Sequence, residues 1–84
     1  MILPTVHRNG TSREELVELR RATCTALRQA TEALSAMAPN ARDYYVAGPG
    51  AMTAAVEQHE RRIVALMDLY DSIMAEGIAL MDGE

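Results

Sequence analysis

Three short polar stretches carry most of the side chains in this chain that could hold a ligand. The first is HRNGTS, His7 to Ser12. Gly, Thr and Ser at a helix start offer unpaired backbone amides and hydroxyls, a seat for phosphate or carboxylate, and Arg8 and Arg13 could add charge-assisted bonds. Asn9, Thr11 and Ser12 complete that candidate set, and ordinary helix capping explains the same residues. The second stretch is NARDYY, Asn40 to Tyr45. Tyr44 or Tyr45 could stack on a base and Arg42 could grip a phosphate, with Asn40 and Asp43 at their side. The competing reading has one tyrosine closing the end of a helical core, Asn40 capping the turn and Arg42 paired with Asp43. The third is EQHERR, Glu57 to Arg62. Here His59 and Arg62 are the candidates, against a core histidine bonded to Thr31 or Gln29 and arginines paired with Glu57 and Glu60 along a helix.

Catalysis finds no support in these residue types. No Ser, His and acid fall at a triad-like spacing, and Cys24 lies mid-helix with no activating base. Two histidines so far apart, with a single cysteine, make no metal site. No catalytic residue, metal or cofactor is therefore expected.

Composition explains how such a chain must be built. It has 84 residues, 49% of them hydrophobic, yet no Phe and no Trp. Fourteen alanines supply much of the apolar count, and alanine gains little on burial, so a lone copy has a thin core. The single cysteine rules out an internal disulfide. Small domains without staples or metals usually oligomerise, so an oligomer is expected. The net charge of −4 and pI near 5.1 argue against binding DNA or RNA polymers, whose partners are basic. All eight basic residues are arginines and lie within residues 1–62, whereas residues 63–84 hold five acids and no base. No apolar run approaches the roughly 20 residues of a membrane span, and the sequence reads as a soluble, cytoplasmic protein that contacts no membrane.

The elements follow from punctuation and period. Residues 1–11, with Pro4 and Gly10, read as an extended arm whose Ile2, Leu3 and Val6 pack on something. Ser12 and Glu15 form a capping box, with Thr11 and Glu14 as an alternative register. Helix 1 is predicted over about 12–37, ending at Pro39, with a seam of Leu16, Leu19, Thr23, Ala26, Ala30, Ala33 and Met37, widened by Leu27 and Leu34. Residues 38–50 are the connection. Helix 2 is predicted over about 51–81, where Met52, Val56, His59, Ile63, Leu66, Tyr70, Ile73, Gly77 and Leu80 alternate in steps of four and three. A second stripe, Val64, Met67, Met74, Ile78 and Met81, leaves apolar surface for another subunit, unless the arm covers it. The fold class is all-α: one domain, an antiparallel two-helix hairpin with an extended N-terminal arm, assembling into a helical-bundle oligomer. Matching the seams pairs Met37 with Met52, Ala30 with His59, Thr23 with Leu66 and Leu16 with Ile73.

A helix of about 25 residues separates HRNGTS from NARDYY by roughly 37 Å, too far for one small ligand. An antiparallel neighbour would bring opposite ends together, twice over in a two-fold dimer.

With HRNGTSREEL, APNARDYY and HERR in place, the chain resembles small proteins encoded by tailed phages and prophages. In size and plan it is also similar to phage anti-defence sponges of the anti-CBASS type. That resemblance implies an even-numbered homo-oligomer, a hexamer being common among them. It implies sequestration of a nucleotide-derived immune signal, a cyclic oligonucleotide or ADP-ribose derivative, between subunits without cleavage, in the cytoplasm of an infected or lysogenic bacterial host. It carries over no individual residue. The expectation from a different class is a small helical adaptor or inhibitor docking a host or phage protein through the methionine stripe.

Overall fold

The computed structural model describes residues 1–83 and is all-helical among them. Helix α1 spans Arg13–Ser35 and helix α2 spans Ala51–Asp82, joined through two short 3₁₀ turns, Ala41–Asp43 and Tyr45–Ala47. The hairpin is a rod, 61 × 20 × 18 Å.

Local chemistry sets the boundaries. Ser12 is the N-cap of α1: its Oγ accepts the Glu15 N–H at 3.1 Å. Glu14 and Glu15 place negative charge in the first turn, where the helix dipole favours it. At the far end α1 stops two residues earlier than predicted. The Ala36, Met37 and Ala38 amides bond to the carbonyls three residues back, at 3.2, 2.9 and 3.1 Å. The chain thus tightens into 3₁₀ winding before Pro39, which disfavours α geometry just ahead of it. Gly48 and Gly50 have φ of 100° and 84°, a region L side chains rarely adopt, and they swing the chain into α2.

The α2 seam is as the period predicted: every residue from Met52 to Leu80 in that series is half-buried or buried. The α1 seam is not. It is rotated by about one residue, so that Arg13, Val17, Arg20, Cys24, Leu27, Thr31 and Leu34 face α2. Leu19, Thr23, Ala26, Ala30, Ala33 and Met37 are exposed, and of the predicted seam Leu16 stays half-covered together with Leu27 and Leu34, the two residues expected to widen it. Covering Val17, Cys24, Leu27 and Leu34 shelters the middle of α1, where the other row offers only Thr23 and alanines, and leaves Leu19 and Met37 near its ends to water.

The pairing of the helices also differs from the predicted one. Ile73, expected beside Leu16, instead lines a hollow with Leu19, Arg20 and Thr23. The Arg20 Nε donates to Glu76 Oε1 at 3.0 Å, the Cys24 thiol lies 3.9 Å from the Tyr70 carbonyl, and Arg13 reaches Gly83. Each observed pair is displaced from the predicted register by about one heptad, roughly a 10 Å slide. Such a slip returns apolar residues to apolar residues, so the stripe alone cannot oppose it. The Arg20–Glu76 pair favours the observed register, while Arg13, at the end of α2, leaves its buried Nε without a partner among the described residues.

Two consequences follow for function. The first turns of α2, about ten residues or roughly 15 Å, run on beyond the end of α1 and have only the connection beside them. The core is also thin: Cys24 and Leu80, 5% and 4% exposed, are the only fully buried hydrophobic residues among those described. The surface is 6302 Å², whereas a globular chain of 9.2 kDa exposes about 4,900 Å².

Candidate functional site

Of the sequence-predicted site residues, all but His59 and Arg62 gather at the two ends of the rod. At the arm end lie Arg8, Asn9, Thr11 and Ser12, all exposed. A turn shapes this segment, its Gly10 N–H donating to the His7 carbonyl at 3.1 Å. The His7 ring lies close over Gly10, where an added Cβ would meet Nε2 at 2.7 Å and push the ring aside. The Ser12 hydroxyl is engaged as the helix cap, while Arg13 is turned across the C-terminal end of α2. Arg8 is thus the exposed cation of this end. Met1 and Ile2 precede it, and Ile2 is 92% exposed. Expected to pack, the arm is left largely uncovered in a single copy.

The loop end holds Asn40, Arg42, Asp43, Tyr44 and Tyr45. Asn40 Oδ1 accepts the Arg42 N–H at 3.1 Å and caps the first 3₁₀ turn, so its acceptor is already used. The Asp43 and Tyr44 amides bond to the Asn40 and Ala41 carbonyls, which fixes the turn. Two successive tight turns send the two tyrosines to different environments: Tyr44 is half-buried and Tyr45 is 77% exposed. Arg42 and Asp43 are exposed and form no ion pair with each other among the described residues.

His59 and Arg62 lie farther along α2, roughly 12 and 16 Å from its start. His59 sits half-buried on the α2 seam, but the heptad slip takes it past the end of α1, away from Ala30. The expected bond to Thr31 is absent, since the Thr31 hydroxyl donates to the Leu27 carbonyl at 2.9 Å. No bond to Gln29 occurs among the described residues. Arg61 and Arg62 are exposed, and their expected pairing with Glu57 and Glu60 does not form there.

A third feature went unread in the sequence. Between the helices runs a groove of about 340 Å³ whose α1 wall includes Val17, Arg21, Cys24 and Arg28 and whose α2 wall includes Tyr70, Met74 and Met81. Arg28 shares an adjoining hollow with Met67 and Asp71. Arg21 is held by Glu18, Nε to Oε2 at 2.8 Å. That bond draws the Glu18 carboxyl below its ordinary pKa and lifts Arg21 above its own. The available signal was Arg21 and Arg28 seven apart on one flank of α1, beside the methionine row of α2.

Among the described residues no three His, Cys, Asp or Glu side chains converge as metal ligands, and no helix is long and apolar enough to cross a membrane. No protein-family model, curated protein or solved structure matches the chain.

Proposed function

We propose that this chain is a non-catalytic binding protein, encoded by a tailed phage or prophage. It acts in the host cytoplasm as an even-numbered oligomer that sequesters a small nucleotide-derived signal at its subunit interfaces. The ligand class is a cyclic oligonucleotide or an ADP-ribose derivative. Tyr45 carries the reading. In a chain with three aromatic residues, Tyr44 and Tyr70 are half-buried while Tyr45 stands 77% exposed, three residues along the connection from Arg42, which is also exposed. A ring left in water on the same short connection as an exposed cation is suited to stacking on a base whose phosphate the cation holds. Sequestration requires only affinity: stacking from Tyr45 and charge from Arg42, and no chemistry of either.

The test is native mass spectrometry with a panel of cyclic di- and trinucleotides and ADP-ribose derivatives. An even-numbered oligomer gaining whole ligands in fixed stoichiometry is expected, with Tyr45→Ala and Arg42→Ala losing the ligand but keeping the assembly. Stacking contributes about 1–3 kcal/mol per base, so Tyr45→Ala should weaken binding roughly 5- to 150-fold. An oligomer that retains nothing from the panel overturns the reading.

A second reading rests on a separate observation. Val64, Met67, Met74, Ile78 and Met81 are between 37% and 64% exposed, and flexible methionines suit an adaptable docking surface. An adaptor for a host or phage protein would lose function in Met67→Asp and show no thermal shift with any nucleotide.

A further inference from the structure

The occupant of the methionine stripe can be argued from area and from pattern. The surface of 6302 Å² exceeds the usual value for this mass by about 1,400 Å², and a standard interface takes about 800 Å² from each partner. One groove of the hairpin sets Met74, Ile78 and Met81 of α2 beside Arg21, Thr25 and Arg28 of α1; Met67 shares the adjoining hollow with Arg28, and helical spacing continues the rows to Val64 and Glu18. Two copies can meet on this face with hairpins parallel or antiparallel. The parallel two-fold lays the apolar row of one copy on the charged row of the other. The antiparallel two-fold lays α2 on α2 and α1 on α1, so the apolar row meets itself.

We infer that the chain pairs with a second copy through this face, antiparallel, about a two-fold axis near Ile73. That axis sets Val64 against the partner's Met81, Met67 against the partner's Ile78 and Met74 against the partner's Asp71, so the apolar contact is interrupted only on either side of the axis. It also brings Glu18 near the partner's Arg28, an attraction between opposite charges. Asp71, the one charge in the stripe, keeps Arg28 of its own chain in the same hollow. The same operation carries Ser12 to the level of the partner's Ser35, where the connection begins. Each arm end then lies beside the partner's loop end, and the partner's α2 projects past it as a surface for the exposed Ile2, Leu3 and Val6. Arg8 of one copy and Arg42 and Tyr45 of the other thereby form one composite site, present twice. The composite site rests on the ligand reading above; the pairing of the stripes does not.

The experiment combines native mass spectrometry with cysteine cross-linking of the full chain, Cys24 being buried. The unmodified chain should appear at an even multiple of 9.2 kDa, and Met67→Asp and Met74→Asp should each return it to the single-chain mass. The double variant Met67→Cys, Ile78→Cys should oxidise to a covalent dimer. Its two cysteines lie roughly 16 Å apart along one helix and cannot bridge within a chain, and each single variant should form little covalent dimer. A monomeric parent chain, an assembly that survives both aspartates, or single variants that cross-link as well as the pair would overturn the inference. Ligand uptake is scored separately: a correctly cross-linked dimer that takes up nothing removes the composite site and the ligand reading but keeps the pairing.

Discussion

Glu76 reports which register the two helices adopt, and its partner can be identified by a double-mutant cycle. In the structure its Oε1 accepts Arg20 Nε at 3.0 Å, with the two side chains 21% and 23% exposed. One heptad away, in the register that the apolar stripes equally permit, Glu76 would face Arg13 instead. Two unit charges about 4 Å apart attract by roughly 4 kcal/mol at an effective dielectric near 20. Partial exposure, a single hydrogen bond and the entropy of holding two long side chains reduce this to about 1–2 kcal/mol of coupling. The variants are Arg20→Gln, Arg13→Gln, Glu76→Gln and the two doubles, unfolded by urea or heat at one fixed protein concentration, because an oligomer's stability depends on it. Each kcal/mol corresponds to roughly 4–8 °C in Tm for a domain of this size, within easy reach of circular dichroism. The expected result is coupling between Arg20 and Glu76 and additivity, within about 0.5 kcal/mol, between Arg13 and Glu76. Coupling that appears with Arg13 and vanishes with Arg20 would refute the register. It would also return His59 to the shelter of α1.

Leu80→Ala should be among the costliest single truncations, about 2–5 kcal/mol, because Leu80 is 4% exposed in a core with few alternatives; a loss under about 1 kcal/mol in chemical denaturation would show that this end is not the core. Glu18 should titrate below the ordinary carboxylate range, since its hydrogen bond to Arg21 favours the charged form. Its folded pKa is depressed, so the small stabilisation is present above the unfolded value and is lost as pH falls through the folded one. Side-chain NMR titration at low and high salt checks this, and a Glu18 midpoint unaltered by Arg21→Gln would contradict it.

The helix boundaries, the N-cap at Ser12 and the whole α2 seam were legible because each rests on local chemistry or on period. Ser12 caps through its own hydroxyl, and the nine α2 seam positions repeat without a break. What period could not supply was phase between two stripes on α1. Leu16, Leu19 and the alanines form one row at three-four spacing; Leu27 and Leu34, read as widening it, belong with Val17 and Cys24 to another, interrupted by Arg20, which reads as polar until Glu76 is placed opposite. Nor could the connection set the register, since a segment from Ala36 to Gly50 is long enough to permit a heptad slip. Of the candidate site, the separation into two ends was legible from helix length. The different fates of Tyr44 and Tyr45 depended on turn geometry, and the place of His59 past the end of α1 depended on the slip.

The two functional readings compete for one surface, which makes the assembly decisive for both. An adaptor needs the stripe from Val64 to Met81 open to a foreign protein. A sponge needs it closed by a second copy, because the arm end and the loop end of a single rod 61 Å long cannot share a small ligand. Closing the stripe therefore removes the adaptor's docking surface in the same step that builds the composite site. The rotated α1 seam leaves Leu19, Ala26, Ala30, Ala33 and Met37 exposed on the opposite flank, and a row of alanines lets a further helix approach closely. A dimer closed through the methionines would still present that flank twice, related by its own two-fold. If any further growth used that flank only after the methionine face had closed, it would proceed by whole dimers, and both the even subunit number and the single-chain mass expected of the aspartate variants would follow from that order.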